Sequence, residues 1–330
     1  MQNTNKASAI SKFLGTYGIL VMLLALVLVM TLINGISFLS LSNIQGILTQ
    51  GSIYGIMALG VTFIIISGGI DLSAGSMVAL AAVVSSSFGQ LATASNRIFP
   101  FLPQLGIWAP LLVALIFGGL LGALNGAMVA KLKLFPWIAT LGTFYIARGL
   151  AQVITAGKPV TQLIPSYSKI GGKIGILPVP ALIFFICVAI SWVLLNYTKF
   201  GCDTFAIGGN IGAARVTGIN INKTLITIYA FAGVMYGVAA FVFAGRVLSV
   251  NPGAAQNYEM SAISASIIGG TSPMGGKGTI WGVIVGTLIL GTIRQGLTLM
   301  AVDAYWQQIA EGAIIVIAVI FAMMREKPRN

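Results

Sequence analysis

Catalysis needs proton carriers, nucleophiles or metal ligands gathered in one place, and this sequence supplies few of them. Its six acidic residues are Asp71, Asp203, Glu259, Asp303, Glu311 and Glu326, and it contains no histidine. Without an imidazole base or a metal-ligand cluster, the sequence predicts no catalytic residue, no metal and no cofactor held by this chain. Cys187 lies in an apolar run and Cys202 in a polar connector, so both read as packing residues rather than as a disulfide framework. Polar groups here have other work: holding helix ends, bonding between helices or lining a path. Asp71 or Ser73 can cap the helix that follows them, or Asp71 can be an intramembrane polar or proton site. Glu259 opens a short apolar segment, where a helix dipole stabilises a carboxylate. Asn125 is either an interhelical hydrogen bond or part of a polar pathway. Arg148 and Arg294 stand near segment ends and are expected to snorkel into headgroups. Glu311 lies mid-segment, where it must face protein, pair with a basic group or be neutral.

The elements that position these groups are apolar. Apolar residues make up 57% of the chain and charged ones 7%, against roughly 45–50% and 25% in soluble domains. The net charge of +12 sits in short connectors, as in cytoplasmic membrane flanks, and nucleic acid is not an expected partner. A helical crossing takes about 20 apolar residues, and segments 18–34, 44–67, 72–90, 108–130, 137–155, 179–197, 224–245, 257–270, 280–300 and 305–324 meet or approach that. Only 257–270 is clearly short, which implies a half-helix or a re-entrant stretch buried in protein. The first run reads as an uncleaved signal anchor. Lys6, Lys12, Lys131, Lys133, the stretch Lys199 to Lys223 and Arg325 to Arg329 all fall inside if the N-terminus is cytoplasmic. Lys158, Lys169 and Lys173, in an outer loop over 156–178, are the exception. The expected fold is an all-α polytopic membrane protein, one domain over 1–330, of about ten transmembrane helices with both termini cytoplasmic.

Glycine punctuates this pattern. Gly118, Gly122 and Gly126 fall four apart, as do Gly282 and Gly286, a spacing that lets helix backbones approach in lipid. Two breaks run from Ser67 to Gly75 and from Gly269 to Gly278, and overlaying them sets Gly69 on Gly270 and Gly75 on Gly276. Matching interruptions point to a weak internal duplication with a pathway between the repeats and to broken or half-helices there. A polar island from Phe200 to Lys223 separates two apolar runs. Within it Asn210 is an N-cap and Gly218 a C-cap for a short amphipathic helix whose small exposed residues fit a partner's groove. Taken alone, that motif better describes an ordinary surface helix.

Three ordered stretches resemble the sugar-permease family of ATP-binding-cassette importers, which includes the ribose and galactose or methyl-galactoside permeases. They are Gly69-Ile70-Asp71-Leu72-Ser73-Ala74-Gly75; Phe205 to Asn210 with Ala213 to Ile219; and Ile268 to Ser272 with Gly275 to Gly278. Thr140 to Thr143 and Ala147-Arg148-Gly149 extend the likeness over most of the chain. The resemblance implies a homodimer of permeases in the bacterial inner membrane, in contact with lipid. It also implies cytoplasmic ATPase subunits carrying ATP and Mg, and a periplasmic sugar-binding protein that delivers the substrate. It assigns coupling to the ATPase to Gly208, Gly209, Asn210, Ala213, Ala214, Arg215 and Gly218 of a cytoplasmic loop over 200–223. No Walker-type loop occurs in this chain, as that division of labour requires. Relatives carry an acidic pair where this chain has Ile211 and Gly212, a basic residue at Cys202, and an Asp at Ser261. A sugar path is expected to use weakly polar groups, and Gln50, Asp71, Asn125, Thr140, Thr143 and Glu259 are the candidates. The rival functions are an ion-coupled secondary sugar transporter, which would use buried acids, and a passive polyol channel.

Overall fold

The computed structural model describes residues 2–325, with the side chains of residues 18–314, 316, 317 and 320. The side chains of Lys6, Lys12 and Arg325, and all of 326–330, lie outside the described residues, and with them the charges that placed both termini. The helices are α1 (Gln2–Asn34), α2 (Leu41–Ile66), α3 (Ala74–Ser87), α4 (Trp108–Ala130), α5 (Pro136–Thr155), α6 (Ser166–Gly171), α7 (Val179–Tyr197), α8 (Lys199–Gly209), α9 (Ile211–Val216), α10 (Ile221–Val247), α11 (Tyr258–Ile268), α12 (Ile280–Leu299) and α13 (Ala304–Arg325). Each apolar segment expected from the sequence falls on one of them. Among the described residues α2, α4, α7, α10 and α12 are long and apolar enough to cross a membrane.

The bundle is organised around α2, which is buried at every residue from Gly51 to Ile66 and is contacted by α7, α8, α10, α11 and α12. Outer helices are two-faced. Leu112, Ile116, Leu120 and Leu124 line the outward face of α4 at 56–61% exposure, while Gly118, Gly122 and Gly126 turn inward. A Cβ on Gly122 would stand 2.1 Å from Tyr229 O, and one on Gly233 of α10 would stand 2.1 Å from Gly118 O. Lipid tails are as apolar as leucine, so helices associate there through close contact, and glycine allows α4 and α10 to touch backbone to backbone. Gly282 and Gly286 serve α12 in the same way against α11, with Cβ positions 1.8 Å from Gly269 O and 2.0 Å from Ala265 O.

α3 and α11 are apolar but too short to cross. At 1.5 Å per residue α3 spans about 21 Å and α11 about 16 Å, against about 30 Å of hydrocarbon. The half-helix expected near 257–270 is α11, buried among α2, α12 and α13. The segment 72–90 differs from expectation: its helix is α3 alone, because Leu72 and Ser73 belong to the preceding break. α11 lies beside α2 and runs in the same direction, with Tyr54 edge-on to Tyr258 at 6.3 Å and Thr62 Oγ1 2.8 Å from Ser266 Oγ.

Both breaks open with the same turn. The N–H of Gly68 donates to Ile65 O and that of Gly69 to Ile64 O, each at 2.9 Å. Gly270 donates to Ile267 O at 2.9 Å and Thr271 to Ser266 O at 3.0 Å. Gly68 at φ +83 and Gly270 at φ +89 take the left-handed position of this helix ending, where a side chain is strained. The equivalence is therefore Gly68 with Gly270, one residue earlier than the sequence overlay placed it. Opposite the breaks, the loop 156–178 carries α6 and the hairpin β1 (Lys173–Ile174) and β2 (Leu177–Pro178). The hairpin is tied to α2: Lys173 donates to Gln45 Oε1, and Gln45 Nε2 donates to Ile176 O at 2.7 Å.

Candidate functional site

The polar island folds as two helices set end to end. Thr198 caps α8, accepting from Gly201 N at 3.4 Å. Asn210 caps α9, its Oδ1 accepting from Ala213 N at 3.0 Å. α9 ends at Gly218, φ +85, whose N–H meets Arg215 O while that of Ile219 meets Ala214 O. Both expected caps are thus formed. Ala214 alone faces inward, in a small cluster with Ile207 and Ile221 that is separate from the main core. Gly212, Ala213, Arg215 and Gly218 are exposed, and Gly208 and Gly209 are partly buried. Two apolar side chains that the sequence reading passed over stand out beside Arg215: Ile211 at 49% and Val216 at 86% exposure. Cys202 is also exposed, not a packing residue; Cys187 is buried.

A second cluster ties the first break to three helices. Asp71 Oδ1 accepts from Ser73 N at 2.8 Å and Ser73 Oγ at 2.5 Å, and its Oδ2 accepts from Tyr236 OH of α10 at 3.1 Å. Asn125 Nδ2 of α4 donates to Ser73 Oγ at 2.9 Å, and Thr143 Oγ1 of α5 donates to Asn125 Oδ1 at 2.5 Å. Thr140 Oγ1 accepts from Leu72 N at 3.1 Å. The donors run in one direction, from Thr143 through Asn125 and Ser73 to the Asp71 carboxyl, whose two oxygens both act as acceptors. Ser73 stands at the N-cap position of α3 but makes no side-chain cap bond; Asp71 accepts from Ser73 and fixes the turn before the helix instead. Asn125 is an interhelical hydrogen bond. Asp71, Ser73, Asn125, Thr140 and Tyr236 are at most 1% exposed, so in this conformation the cluster is a clasp closed to solutes. Gln50, half-buried on α2, takes part in none of these bonds. Tyr236 carried no signal in the sequence, being one tyrosine in an apolar run.

The remaining charges within or beside the apolar helices, Arg148, Glu259, Arg294 and Glu311, are paired or enclosed. Arg294 does not snorkel: its guanidinium forms an ion pair with Glu311, donates to Ser261 Oγ at 2.9 Å and lies 5.1 Å from the Tyr54 ring and 5.9 Å from that of Tyr258. Glu311 thereby pairs with a basic group, one of the outcomes its position required. Arg148 also turns inward, donating from Nη1 to Ala254 O at 2.6 Å and Pro252 O at 3.4 Å. Its field reaches Glu259, which is 5% exposed and packed on the first turn of α3, where a Cβ on Gly75 would stand 2.0 Å from Oε2. Opposite charges on successive helices were the available sign of the Arg294–Glu311 pair.

An exposed polar connector, a buried polar clasp and backbone-packed helices make up an apolar bundle, with no metal-ligating group of three or more side chains among the described residues. Residues 43–319 match the family described as branched-chain amino acid transport system, permease component. The chain belongs to this permease family. Among curated relatives, the galactose/methyl galactoside import permease protein MglC of Escherichia coli is 39% identical over 313 residues, 92% of each chain. The ribose import permease protein RbsC of Haemophilus influenzae is 35% identical over 325 residues, 97% of each chain, and RbsC of Bacillus subtilis is 38% identical over 302 residues, 90% of this chain and 89% of that one. No solved structure matches the chain. Like these permeases it is an integral membrane protein of the transport machinery, with apolar helices long enough to span the bilayer.

Proposed function

We propose that this permease is the membrane-spanning subunit of an ATP-driven importer for a monosaccharide such as ribose or galactose. The observation that carries the reading is the near full-length identity to import permeases named for those two sugars. The substrate is delivered by a periplasmic binding protein, and ATP and Mg belong to cytoplasmic partner subunits, so this chain is not itself an enzyme. Two copies form the path. About ten crossings with both termini inside put the loop 200–223 on the cytoplasmic side.

Gly208, Gly209, Asn210, Ala213, Ala214, Arg215 and Gly218 form the coupling element. The exposure of α9 supports this role: Ile211 and Val216 are apolar pegs beside the Arg215 charge, fitted to a groove on a soluble partner. Nucleotide-driven motion of α9 moves packed helices as rigid bodies and opens the path to one side at a time. Asp71, Asn125, Thr140 and Thr143 line that path only when the clasp opens, and Gln50 and Glu259 are its other weakly polar groups. The two breaks mark a weak internal duplication within the single domain.

The test is uptake of labelled ribose and galactose into proteoliposomes holding the permease, its ATPase and its binding protein. Accumulation is expected only with ATP and binding protein together. Uptake by the permease alone, down a sugar gradient or driven by an ion gradient, would refute the proposal.

A further inference from the structure

Three backbones meet at one point: the end of α2, the end of α8 and the second break. The N–H of Gly276 donates to Ile66 O at 2.8 Å. A Cβ on Gly208 would stand 1.7 Å from Ile66 O and 2.7 Å from Gly276 N. One on Gly275 would be 3.1 Å from both Gly208 O and Gly68 Cα, and one on Gly276 would be 3.2 Å from Gly209 Cα. The last carbonyls of a helix lack partners within it. Ile66 O finds its partner in the other break.

From this geometry we infer that the glycine crossing is the mechanical joint of the transporter. It carries displacement of α8 and α9 into both breaks at once, with Gly208 and Gly276 as positioning residues. The inference rests on the coupling role proposed above for α9. Side chains can absorb a small displacement by changing rotamer, whereas backbone in direct contact cannot, so tightly packed elements pass motion on. α8 has a second hold on α2, where Phe200 stacks on Phe63 at 5.4 Å, and its glycine end also touches Gly275 and Gly276. α11 already travels with α2 through the Thr62–Ser266 bond. A push on α9 therefore reaches α2 and the α11–α12 pair as one event, and the break geometry that precedes α3 moves with it.

Gly208→Ala drives a methyl group into Ile66 O. Gly278→Ala is milder, meeting the flexible Ile66 side chain at 2.7 Å from Cγ1. Gly149→Ala, where a Cβ meets nothing within 4 Å, is the control. Each variant is purified as the full complex, checked for a monodisperse peak, and measured for ATP hydrolysed per sugar imported. Gly208→Ala and Gly278→Ala are expected to raise that ratio tenfold or more with hydrolysis retained, while Gly149→Ala stays at the wild-type ratio. Unchanged ratios in both joint variants would overturn the inference. A second reading needs no transport. Hydrogen exchange of the peptide over 272–280 should quicken about tenfold in Gly278→Ala without change in α4, because the Gly276 bond to Ile66 O is loosened. Unaltered protection there would also overturn it. Absence of ATP-driven uptake by the wild-type complex would instead strike the functional reading, leaving the exchange result to judge the joint.

Discussion

Neutralising Glu311 isolates one charge in the bundle, and its cost can be worked from the contacts. Arg294 and Glu311 are 14% and 16% exposed, so water does little to replace a missing partner. Removing one member of a buried ion pair costs about 3–5 kcal/mol, because the other charge stays buried. In Glu311→Gln the guanidinium keeps Ser261 and the two tyrosine rings at 5.1 and 5.9 Å, as in the wild type, so those contacts cancel in the difference. The loss expected is therefore about 3–5 kcal/mol. Removing both charges, in Arg294→Met with Glu311→Gln, should come within about 1 kcal/mol of wild type, since no charge is left stranded. Cys187 is 4% exposed and serves as the reporter in a Cys202→Ser background. Its reaction with a maleimide, followed as SDS is raised in mixed micelles, gives the unfolding free energy of each variant. A double variant as unstable as Glu311→Gln, or a single variant indistinguishable from wild type, would refute the assignment of the pair as a coupled buried unit.

Asn125→Ala removes the donor to Ser73 Oγ and the acceptor of Thr143 Oγ1, though Ser73 Oγ retains Asp71 Oδ1 and Thr143 Oγ1 retains Ala139 O at 3.3 Å. The same assay should record a loss of about 1–3 kcal/mol, two hydrogen bonds at about 0.5–1.5 kcal/mol each, and a negligible change would show that the clasp re-pairs around the gap. Gly122→Ala sets a Cβ 2.1 Å from Tyr229 O and should cost about 1–3 kcal/mol of overpacking, while Gly149→Ala costs nothing measurable. Equal stability of those two variants would remove backbone contact as the cement between α4 and α10. Cys202 is exposed and lies in the loop assigned to the cytoplasm, so an impermeant maleimide should label it only in permeabilised cells. Labelling of intact cells would reverse the topology.

Much of this arrangement is legible in the sequence because lipid imposes strict rules on it. Backbone groups must bond within helices, so apolar runs mark helices, and the spacing of Gly118, Gly122 and Gly126 marks where two of them touch. Asn210 and Gly218 were readable for a local reason, since caps depend on a few neighbouring residues. What escaped depends on tertiary context. A basic residue near a helix end has two ways to satisfy its charge, headgroup or protein, and Arg148 and Arg294 took the second because carbonyls and a carboxylate lay within reach. The dipeptide Gly68-Gly69 offers two candidates for one left-handed position, and helix length upstream settled it on Gly68. The start of α3 was drawn too early because Leu72 is apolar yet belongs to a turn held by Asp71. Tyr236 was invisible, since nothing in an apolar run marks a hydroxyl that reaches across.

The two half-helices explain how an unpaired carboxylate is tolerated at the centre of this arrangement. α3 follows its break and α11 precedes its own, and the first turns of both meet where Glu259 packs on Gly75. The backbone amides of Asn257 and Glu259 reach the carboxylate, yet Oε2 has no hydrogen-bond partner among the described residues. Leaving such an oxygen unbonded costs about 1–3 kcal/mol or more for a charged group. A helix N-terminus returns about 0.3–1 kcal/mol, up to about 2 in partly buried geometry, and here two termini converge. The field of Arg148, added from across the gap, offsets a further part of the cost of burial. Glu259 is therefore held in part by fields, which fall off gradually with distance, where a bond would break abruptly.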